Sequence, residues 1–382
     1  MRCKRCGNED PNYFFLGSKG MYCRKCVRFK RILYEEELLP FDYDVDSSSF
    51  SYEFAYDLTS KQKKISRECK ETLKEKDVLL HCVCGAGKTE LVVESISSYL
   101  KKGLKVCYAI SRREVVKEIA FRFSKIFKEA NVVALYGGHS QKTSGDLIVC
   151  TTHQLFRYFK TFDLLILDEV DAFPLKGSDT LMEIAINSCR GKIIYSTATI
   201  NDFLIKYLKR RPYKEVKLLT RPSGKPIIVP SVILGPSLYL VYYLYKIMHS
   251  MTNQCIIFVP SKKLCKYLYL IFKRLFSCIY VYSDLPDRDK NIKAFKDKEY
   301  QFIFATTVLE RGITILDVNV CVLDINDGCF DEASLIQMTG RVGRNYKNPT
   351  GEAYILTNQK SKEIANCVMN LTEANRELSI LR

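Results

Sequence analysis

The sequence predicts an α/β protein in which two parallel-sheet domains follow a small N-terminal cysteine module. Short, fully apolar runs alternate with longer amphipathic runs, which is the pattern of strands that are buried on both faces and covered by helices. This rhythm occurs twice, on either side of a joint at 210–230 that is rich in Pro, Gly and Arg. Two Cys-x2-Cys pairs lie within the first 31 residues.

Charge marks the boundaries of these regions. Residues 1–31 contain nine Lys and Arg against two acids, whereas 32–60 contain eight acids and no Lys or Arg. This shift predicts a cysteine module at 1–31 and a solvated acidic linker at 32–58. We expect the two α/β domains at 59–215 and 222–382.

Apolar runs of three to six residues give the predicted strands. In the first domain they are Val78–Val83, Val106–Ile110, Val132–Leu135, Leu147–Cys150, Leu164–Leu167 and Ile193–Tyr195. In the second domain they are Ile227–Val229, Cys255–Val259, Cys278–Tyr282, Phe302–Ala305, Val320–Leu323 and Ala353–Leu356.

Composition favours a nucleic-acid partner. The 382 residues are 47% hydrophobic and 27% charged, which excludes wholesale disorder. The chain has 59 Lys and Arg against 43 Asp and Glu, a net charge of +16, and a basic field attracts polyanions. Anionic lipid and a merely basic solvated surface are the alternatives.

The cysteines and the longest uncharged stretch indicate a cytoplasmic protein. Most of the 16 cysteines stand singly in apolar runs, and no apolar stretch precedes Cys3. The twenty uncharged residues between Lys225 and Lys246 include three prolines. We therefore expect a strand and a Tyr-rich helix there, and no transmembrane segment.

The N-terminal cysteines have the spacing of a zinc site. Each of the two Cys-x2-Cys turns can present two thiolates, and 16 residues separate the turns. About thirty residues without a large core need a metal to fold. The predicted ligands of a structural Zn²⁺ are Cys3, Cys6, Cys23 and Cys26. Basic neighbours of the site favour contact with a phosphate backbone, and docking to a protein partner is the alternative.

A phosphate loop follows the first strand of the first domain. Its glycines let backbone N–H groups surround phosphates, while Lys88 neutralises phosphate charge and the Thr89 hydroxyl binds Mg²⁺. Cys82 stands where the strict pattern has its first glycine. The predicted ATP-binding residues of this loop are Gly85, Ala86, Gly87, Lys88 and Thr89.

Two carboxylates end the apolar strand at Leu164–Leu167. Asp168 is predicted to hold Mg²⁺ and Glu169 to orient and deprotonate the attacking water. Upstream of the phosphate loop, Gln62 is a candidate reader of the adenine edge, and an ordinary exposed glutamine is the alternative.

Further candidates lie in three short strings. Thr197 and Thr199, in Ser196–Thr199, are predicted to couple the γ-phosphate to the second domain, with helix capping as the alternative. Gly312, in the string 306–312, is a candidate nucleotide contact. In Gln337–Arg344, Gln337 is a coupling candidate, and Arg341 and Arg344 are candidate catalytic arginines, Arg344 as the finger.

These strings resemble those of superfamily 2 helicases, whose ATP site lies between two RecA-like domains. In the order CGAGKTE, LDEVDAFP, STAT, TTVLERGIT and QMTGRVGR, behind a four-cysteine module, they are similar to the late-competence DNA-uptake ATPase (ComFA) family over essentially the whole chain. The resemblance implies ATP-driven pulling of incoming single-stranded DNA at the cytoplasmic face of the bacterial membrane during transformation. It also implies a membrane DNA channel and a phosphoribosyltransferase-like competence protein as partners.

The resemblance also implies a track for single-stranded DNA across both domains, gripped by its backbone. Ser111 stands where the family usually has proline. The implied contacts are Arg112, Arg113, Gly137, Gly138, Thr151, Thr152, Ser261 and Thr306. Ordinary loop or cap residues are the alternative at each position.

Two other functions fit parts of the pattern. A replication-restart helicase also combines zinc cysteines with these motors, but such chains are normally longer and carry further zinc cysteines within the motor. A non-catalytic zinc-dependent adaptor that binds nucleic acid is the alternative of another class. The presence of Lys88, Asp168, Glu169 and Arg344 argues against it.

Overall fold

A computed structural model describes residues 1–45, 50–139, 141–310, 315–325, 330–345 and 349–380. This part of the chain divides into two compact units. The first contains Met1–Cys82 and Gly87–Leu218, and the second contains Val83–Ala86 and Leu219–Arg382.

The first unit begins with the cysteine module. Strands β1 (Phe14–Gly17) and β2 (Gly20–Cys23) form an antiparallel hairpin. The hairpin lies between the two Cys-x2-Cys turns, so it brings the turns together.

The rest of the first unit is a parallel sheet with its helices. Its elements are α1 (Ser60–Thr72), β3 (Asp77–Cys82), α2 (Lys88–Leu91), α3 (Val93–Leu100), β4 (Val106–Ile110), α4 (Arg113–Ile126), β5 (Val132–Leu135), β6 (Leu147–Thr151), β7 (Phe162–Asp168), α5 (Asp179–Ser188), β8 (Cys189–Thr197), α6 (Asp202–Leu208) and β9 (Tyr213–Leu218). Within the described residues the strand order is β5-β6-β4-β7-β8-β3-β9, and each pair is parallel. Every residue of β4 and β6 is buried, as fully apolar strands require.

The second unit has the same architecture. Its elements are β10 (Ser231–Leu234), α7 (Ser237–Ser250), β11 (Cys255–Phe258), α8 (Lys262–Phe272), β12 (Cys278–Val281), α9 (Arg288–Lys296), β13 (Phe302–Ala305), β14 (Asn319–Asp324), α10 (Glu332–Thr339), β15 (Ala353–Thr357) and α11 (Lys362–Ile380). The described strands form one parallel sheet in the order β10-β15-β14-β11-β13-β12.

One predicted strand is wrong, and strands β1, β2, β9 and β10 have no counterpart among the predicted runs. Residues Ile227–Val229 are not a strand, because the flanking Pro226 and Pro230 lack the N–H that a ladder needs; β10 begins directly after Pro230. β9 was not predicted because three of its six residues are charged, so this edge strand contains no apolar run. Each of the other predicted strands overlaps a strand of the structure.

The uncharged stretch after Lys225 contains an amphipathic helix. One face of α7 buries Leu240, Leu244 and Ile247, while Tyr239 and Tyr242 on the same helix are exposed. Among the helices that the structure describes, none is both long and apolar enough to cross a membrane.

The acidic segment 32–58 differs from the solvated linker that its composition predicts. Its described residues lie against the first unit at several points along their length. The Phe41 N–H donates to the Thr161 hydroxyl at 3.0 Å, and Lys105 pairs with Asp42 at 2.7 Å. Phe50 is only 1% exposed. Apolar residues between the acids therefore anchor the segment, which the charge count alone does not show.

We predict that Phe50→Ala lowers the free energy of unfolding by about 3 kcal/mol, because it leaves a cavity where a buried ring was. Urea unfolding of the whole chain measures this. Phe121→Ala is the matched control, since Phe121 is 60% exposed and its removal should change stability by less than about 0.5 kcal/mol. Equal stabilities of the two variants would mean that the segment is solvated after all.

Candidate functional site

The predicted phosphate loop has the backbone of a tight strand-to-helix turn. It leaves β3 at Cys82 and enters α2 at Lys88. Gly85 and Gly87 have φ of +82° and +88°, in the left-handed region that favours glycine. A Cβ on Gly87 would also lie 2.6 Å from the Gln62 amide nitrogen, so a side chain there would have to displace this amide. The sequence pattern and the local geometry therefore agree at both glycines.

Gln62 is held beside this loop by the start of α1. Thr59 and Gln62 form a reciprocal capping box: the Gln62 N–H donates to the Thr59 hydroxyl at 3.2 Å, and the Gln62 Oε1 accepts the Thr59 N–H at 3.0 Å. The side chain is 3% exposed. With its oxygen engaged at the helix start, the amide turns its nitrogen toward Gly87. Reading of adenine by Gln62 stays a prediction.

Asp168 is the most firmly held carboxylate of the candidate site. It ends β7 and is 6% exposed. The Tyr108 hydroxyl donates to its Oδ2 at 2.5 Å, and the Ser196 hydroxyl donates to its Oδ1 at 2.7 Å. The Glu169 N–H also donates to Oδ1, at 2.9 Å. Three donors therefore fix the orientation of this side chain.

Burial raises the pKa of Tyr108 well above its ordinary value, and the neighbouring Asp168 charge raises it further. The phenol therefore stays protonated at neutral pH and acts as a hydrogen-bond donor. Neither Tyr108 nor Ser196 was among the predicted site residues. A tyrosine within an apolar run is normally interpreted as a core residue. The position of Tyr108 beside Asp168 could therefore be found only from the register of the sheet.

Glu169 has a left-handed backbone, with φ of +54°. This conformation is uncommon for a residue with a side chain, and such strain concentrates at functional positions. It ends the strand abruptly, so that Asp168 and Glu169 leave β7 at a sharp turn. The roles of Asp168 at Mg²⁺ and of Glu169 at the attacking water stay predictions.

The coupling candidates in the first unit belong to the same network. Thr199 donates its hydroxyl to Asp171 at 3.0 Å, and Thr197 donates to the Thr199 carbonyl at 2.6 Å. Together with the bond between Ser196 and Asp168, these contacts join the ends of β7 and β8 at two carboxylates. A shift at Asp168 thus has a direct hydrogen-bonded path into β8.

A pocket adjoins the phosphate loop on its α4 side. Glu90 directly follows Thr89, is 4% exposed, and forms an ion pair with Arg122. The Tyr56 hydroxyl donates to the same carboxylate at 2.8 Å. The pocket has a volume of about 330 Å³ and is lined by Glu53, Phe54, Ala55, Tyr56, Glu90, Arg122, Lys125, Ile126 and Lys128. No pattern in the sequence indicates this cluster, because its residues come from three segments that are far apart in the chain.

The arginines of the second unit lie in and beside the turn after α10. Arg341 is 2% exposed, and Arg344 donates Nε to the Gly340 carbonyl at 3.0 Å. Arg221, which was not predicted, donates to the carbonyls of Gly340 at 2.8 Å and Val342 at 2.6 Å. Burial, followed by the Arg344 charge, lowers the pKa of Arg221 to about 10. Gln337 is buried in α10, and Gly312 lies outside the described residues.

The nucleic-acid candidates of the first unit follow adjacent strands. Arg112 and Arg113 follow β4, Gly137 and Gly138 follow β5, and Thr151 and Thr152 lie at the end of β6. Because β5, β6 and β4 are consecutive in the sheet, the structure brings these positions to one edge. The Arg113 guanidinium lies 5.4 Å from the centre of the Tyr136 ring. The two glycines are exposed, whereas Thr152 is buried.

The two nucleic-acid candidates of the second unit, Ser261 and Thr306, also follow strands of a parallel sheet. Ser261 follows β11 and caps α8, where its hydroxyl accepts the Leu264 N–H at 3.2 Å. Thr306 directly follows β13, which pairs with β11. Both residues therefore lie at the carboxyl ends of neighbouring strands, where ligands of open α/β sheets usually bind.

The four N-terminal cysteines converge. Their sulfurs lie within 4.8 Å of one another, with Cys3 and Cys26 separated by 3.7 Å and Cys6 and Cys23 by 3.8 Å. A tetrahedral ion with bonds of about 2.3 Å requires sulfurs about 3.8 Å apart. The thiols therefore fit one tetrahedrally coordinated divalent ion, and four sulfurs leave no open coordination position.

The module is packed onto the first unit through two groups. Phe29 lies with its ring centre 6.0 Å from that of Phe156. Arg5 is 4% exposed and donates to the carbonyls of Cys26 at 2.5 Å and Lys30 at 2.6 Å. Asn187 of α5 donates to the Arg5 carbonyl at 3.0 Å. Arg5 thus holds the module together and docks it, rather than facing a ligand in solvent.

Comparison with known families places helicase domains in both halves. Residues 59–206 match the DEAD/DEAH box helicase family, and residues 239–346 match the helicase conserved C-terminal domain. These domains imply an enzyme of the superfamily 2 type that uses ATP with Mg²⁺ and binds nucleic acid.

Among curated proteins, the chain is 32% identical to the competence protein ComFA of Bacillus subtilis (strain 168), over 98% of this chain and 85% of that protein. It is 31% identical to ComFA of Streptococcus pneumoniae (strain ATCC BAA-255 / R6), over 99% and 91%.

Solved helicase structures share the fold. S. cerevisiae Dbp5 bound to RNA and ADP BeF3 superimposes with a TM-score of 0.60 at 17% identity, covering 83% of this chain and 91% of that one. RecG bound to a three-way DNA junction gives 0.58 at 18% identity, covering 86% and 46%. The prediction of two RecA-like parallel-sheet domains is confirmed.

We predict that Arg122→Ala lowers the free energy of unfolding by about 2 kcal/mol, because it leaves the buried Glu90 carboxylate without its cation. Adding Glu90→Gln should restore part of this loss, since the unpaired charge is then gone. Arg113→Ala is the control: Arg113 is exposed and pairs with Glu114 at the surface. Urea unfolding measures all four proteins, and a loss in Arg113→Ala as large as in Arg122→Ala contradicts the prediction.

Proposed function

Because the chain belongs to the ComFA family of competence proteins, we propose that it is an ATP-driven translocase that moves single-stranded DNA during DNA uptake in natural transformation. The observation that carries the proposal is the Asp168 network beside a glycine phosphate loop, in a chain similar to competence proteins over 98% of its length. The same side chains argue against a non-catalytic adaptor, which has no need for a buried carboxylate held by three donors.

The residues of the first unit can perform the chemistry of phosphoryl transfer to water. Lys88 neutralises charge on the β- and γ-phosphates, and the Thr89 hydroxyl and Asp168 hold Mg²⁺. When bound, the metal ion withdraws charge from the phosphate oxygens. Glu169 orients a water molecule and accepts its proton. Because Asp168 is already oriented, little reorganisation is needed when the nucleotide binds.

The arginines of the second unit supply positive charge for the transferring phosphoryl group. We assign the finger role to Arg344 and a supporting role to Arg341. Arg221 fixes the backbone of their turn by donating to the carbonyls of Gly340 and Val342. The hydroxyls of Thr197 and Thr199 then couple changes at the nucleotide site to β8 through their hydrogen bonds.

The DNA contacts are proposed at the carboxyl ends of β4, β5 and β6 and of β11 and β13. Exposed Gly137 and Gly138 let a phosphate approach the backbone, and Arg113 adds charge beside an aromatic ring. Such contacts grip the sugar–phosphate chain without reading bases, which suits a protein that takes up DNA of any sequence. Binding should weaken steeply with salt.

The remaining assignments come from the geometry of the cysteines and from the family. We assign a structural Zn²⁺ to Cys3, Cys6, Cys23 and Cys26 on the spacing of their sulfurs. We place the protein in the cytoplasm at the inner face of the membrane, beside a DNA channel and a phosphoribosyltransferase-like competence protein, on the family resemblance alone.

We predict an ATPase whose rate rises strongly with single-stranded DNA. Lys88→Ala should lower kcat by about 100-fold or more, because the phosphates lose their cation. Arg344→Ala should lower kcat while leaving nucleotide binding largely intact. Lys102→Ala, at an exposed lysine, is the control and should match the wild type. Rates are compared with single-stranded DNA, double-stranded DNA and RNA at two salt concentrations.

Two results, one from these rates and one from an unwinding assay, contradict the proposal. A wild-type rate that is absent or unaffected by single-stranded DNA favours the adaptor. Strand displacement on a forked duplex favours a replication-restart helicase, since a translocase need not unwind DNA.

We predict about one zinc ion per chain, lost in the double variant Cys6→Ser/Cys23→Ser. Cys69→Ser, at a fully buried cysteine of α1, is the matched control and should keep its metal. Elemental analysis of the purified chain measures zinc, which only the double variant should lose. A folded wild-type chain without zinc refutes the assignment.

A further inference from the structure

Tyr108 occupies the middle of the strand beside the one that carries Asp168. It pairs in register with Ile166 of β7, two residues before Asp168, so the two side chains project from the same face of the sheet. Its ring is 1% exposed and makes an edge contact with Phe123, with ring centres 5.4 Å apart. The Tyr108 hydroxyl is the polar end of this buried side chain, and it donates a hydrogen bond to Asp168 Oδ2 at 2.5 Å.

Thr89 and Asp168 are the two side chains proposed to hold Mg²⁺. The Tyr108 hydroxyl donates to one of them, the Asp168 carboxylate, so this carboxylate takes part of its orientation from a buried phenol. A core tyrosine that served only to fill space would not need to place its single polar atom on this carboxylate.

We propose that Tyr108 is a positioning residue of the magnesium site, which fixes the orientation of the Asp168 carboxylate. This inference rests on the proposed function. Ser196 holds Oδ1 of Asp168 while Tyr108 holds Oδ2, so the carboxylate plane is set from both sides. Each carboxylate oxygen accepts about two hydrogen bonds. Oδ1 already accepts two, from Ser196 and the Glu169 N–H, whereas Oδ2 accepts one, from Tyr108, which leaves a lone pair on Oδ2 for a metal-bound water.

Tyr108→Phe tests this role with little effect on packing. The phenyl ring keeps the volume and the contact with Phe123, and only the hydroxyl is lost. The loss of an outer partner that orients a metal ligand typically weakens metal binding or activity by about 10- to 100-fold. The expected defect is therefore in the metal-dependent part of nucleotide affinity.

The experiment titrates the full chain with a fluorescent ADP analogue, once with Mg²⁺ and once with a chelator. In the wild type, Mg²⁺ should tighten binding. In Tyr108→Phe this gain should fall by about 10-fold, while the affinity without metal should stay as in the wild type. The Mg²⁺ concentration that gives half-maximal ATPase activity should rise in parallel.

Tyr158→Phe is the matched control. Tyr158 is also 1% exposed in the same unit, and its hydroxyl donates to the Thr143 carbonyl at 2.6 Å. Both variants lose one buried hydrogen bond, so urea unfolding should show similar losses of stability, but only Tyr108→Phe should lose the Mg²⁺-dependent gain. An unchanged gain in Tyr108→Phe, or an equal loss in Tyr158→Phe, overturns the inference. A wild type that binds no nucleotide overturns the proposed function instead.

Discussion

The register of three adjacent parallel strands sets the orientation of the Asp168 carboxylate, on which the proposed nucleotide site depends. Tyr108 on β4, Asp168 on β7 and Ser196 on β8 meet only because Asp168 pairs with Ser196 while Tyr108 pairs with Ile166. A slip of one residue would turn Tyr108 to the opposite face of the sheet and remove one anchor of the carboxylate. The apolar residues that fix the register therefore also fix the chemistry, since every residue of β4 is buried.

The cysteine module is tied to the same strands by their crossover helix. Helix α5 lies between β7 and β8 in the chain, and Asn187 near its end donates to the Arg5 carbonyl. The four cysteines and Phe29 belong to the apolar cluster that includes Leu165 and Leu167 of β7. A metal held by the four cysteines would therefore support the helix that joins the two strands. This is a structural role that a flexible zinc arm on an acidic linker would not have.

Local patterns allowed the strands and the phosphate loop to be predicted, because both depend on residues close together in sequence. The apolar run at Val106–Ile110 and the glycines at positions 85 and 87 are of this kind. Tyr108 and Arg221 could not be predicted in their roles. Their partners Asp168 and Gly340 lie 60 and 119 residues away, so only the folded chain brings each pair together. Proline explains the misplaced strand, since Ile227–Val229 is apolar but is flanked by residues that cannot join a ladder.

The turn after α10 concentrates positive charge that its own hydrogen bonds do not neutralise. Arg221 donates to the carbonyls of Gly340, Val342 and Gly343. These neutral acceptors take up N–H groups of Arg221 but do not neutralise its positive charge. Its pKa is lowered by burial and by Arg344, which shows that the two guanidinium groups disfavour each other. An anion near the turn relieves this repulsion, and a triphosphate brings the largest charge of any common nucleotide. In the proposed mechanism this charge acts on the transferring phosphoryl group, and the backbone that Arg221 fixes holds the proposed finger arginine in place.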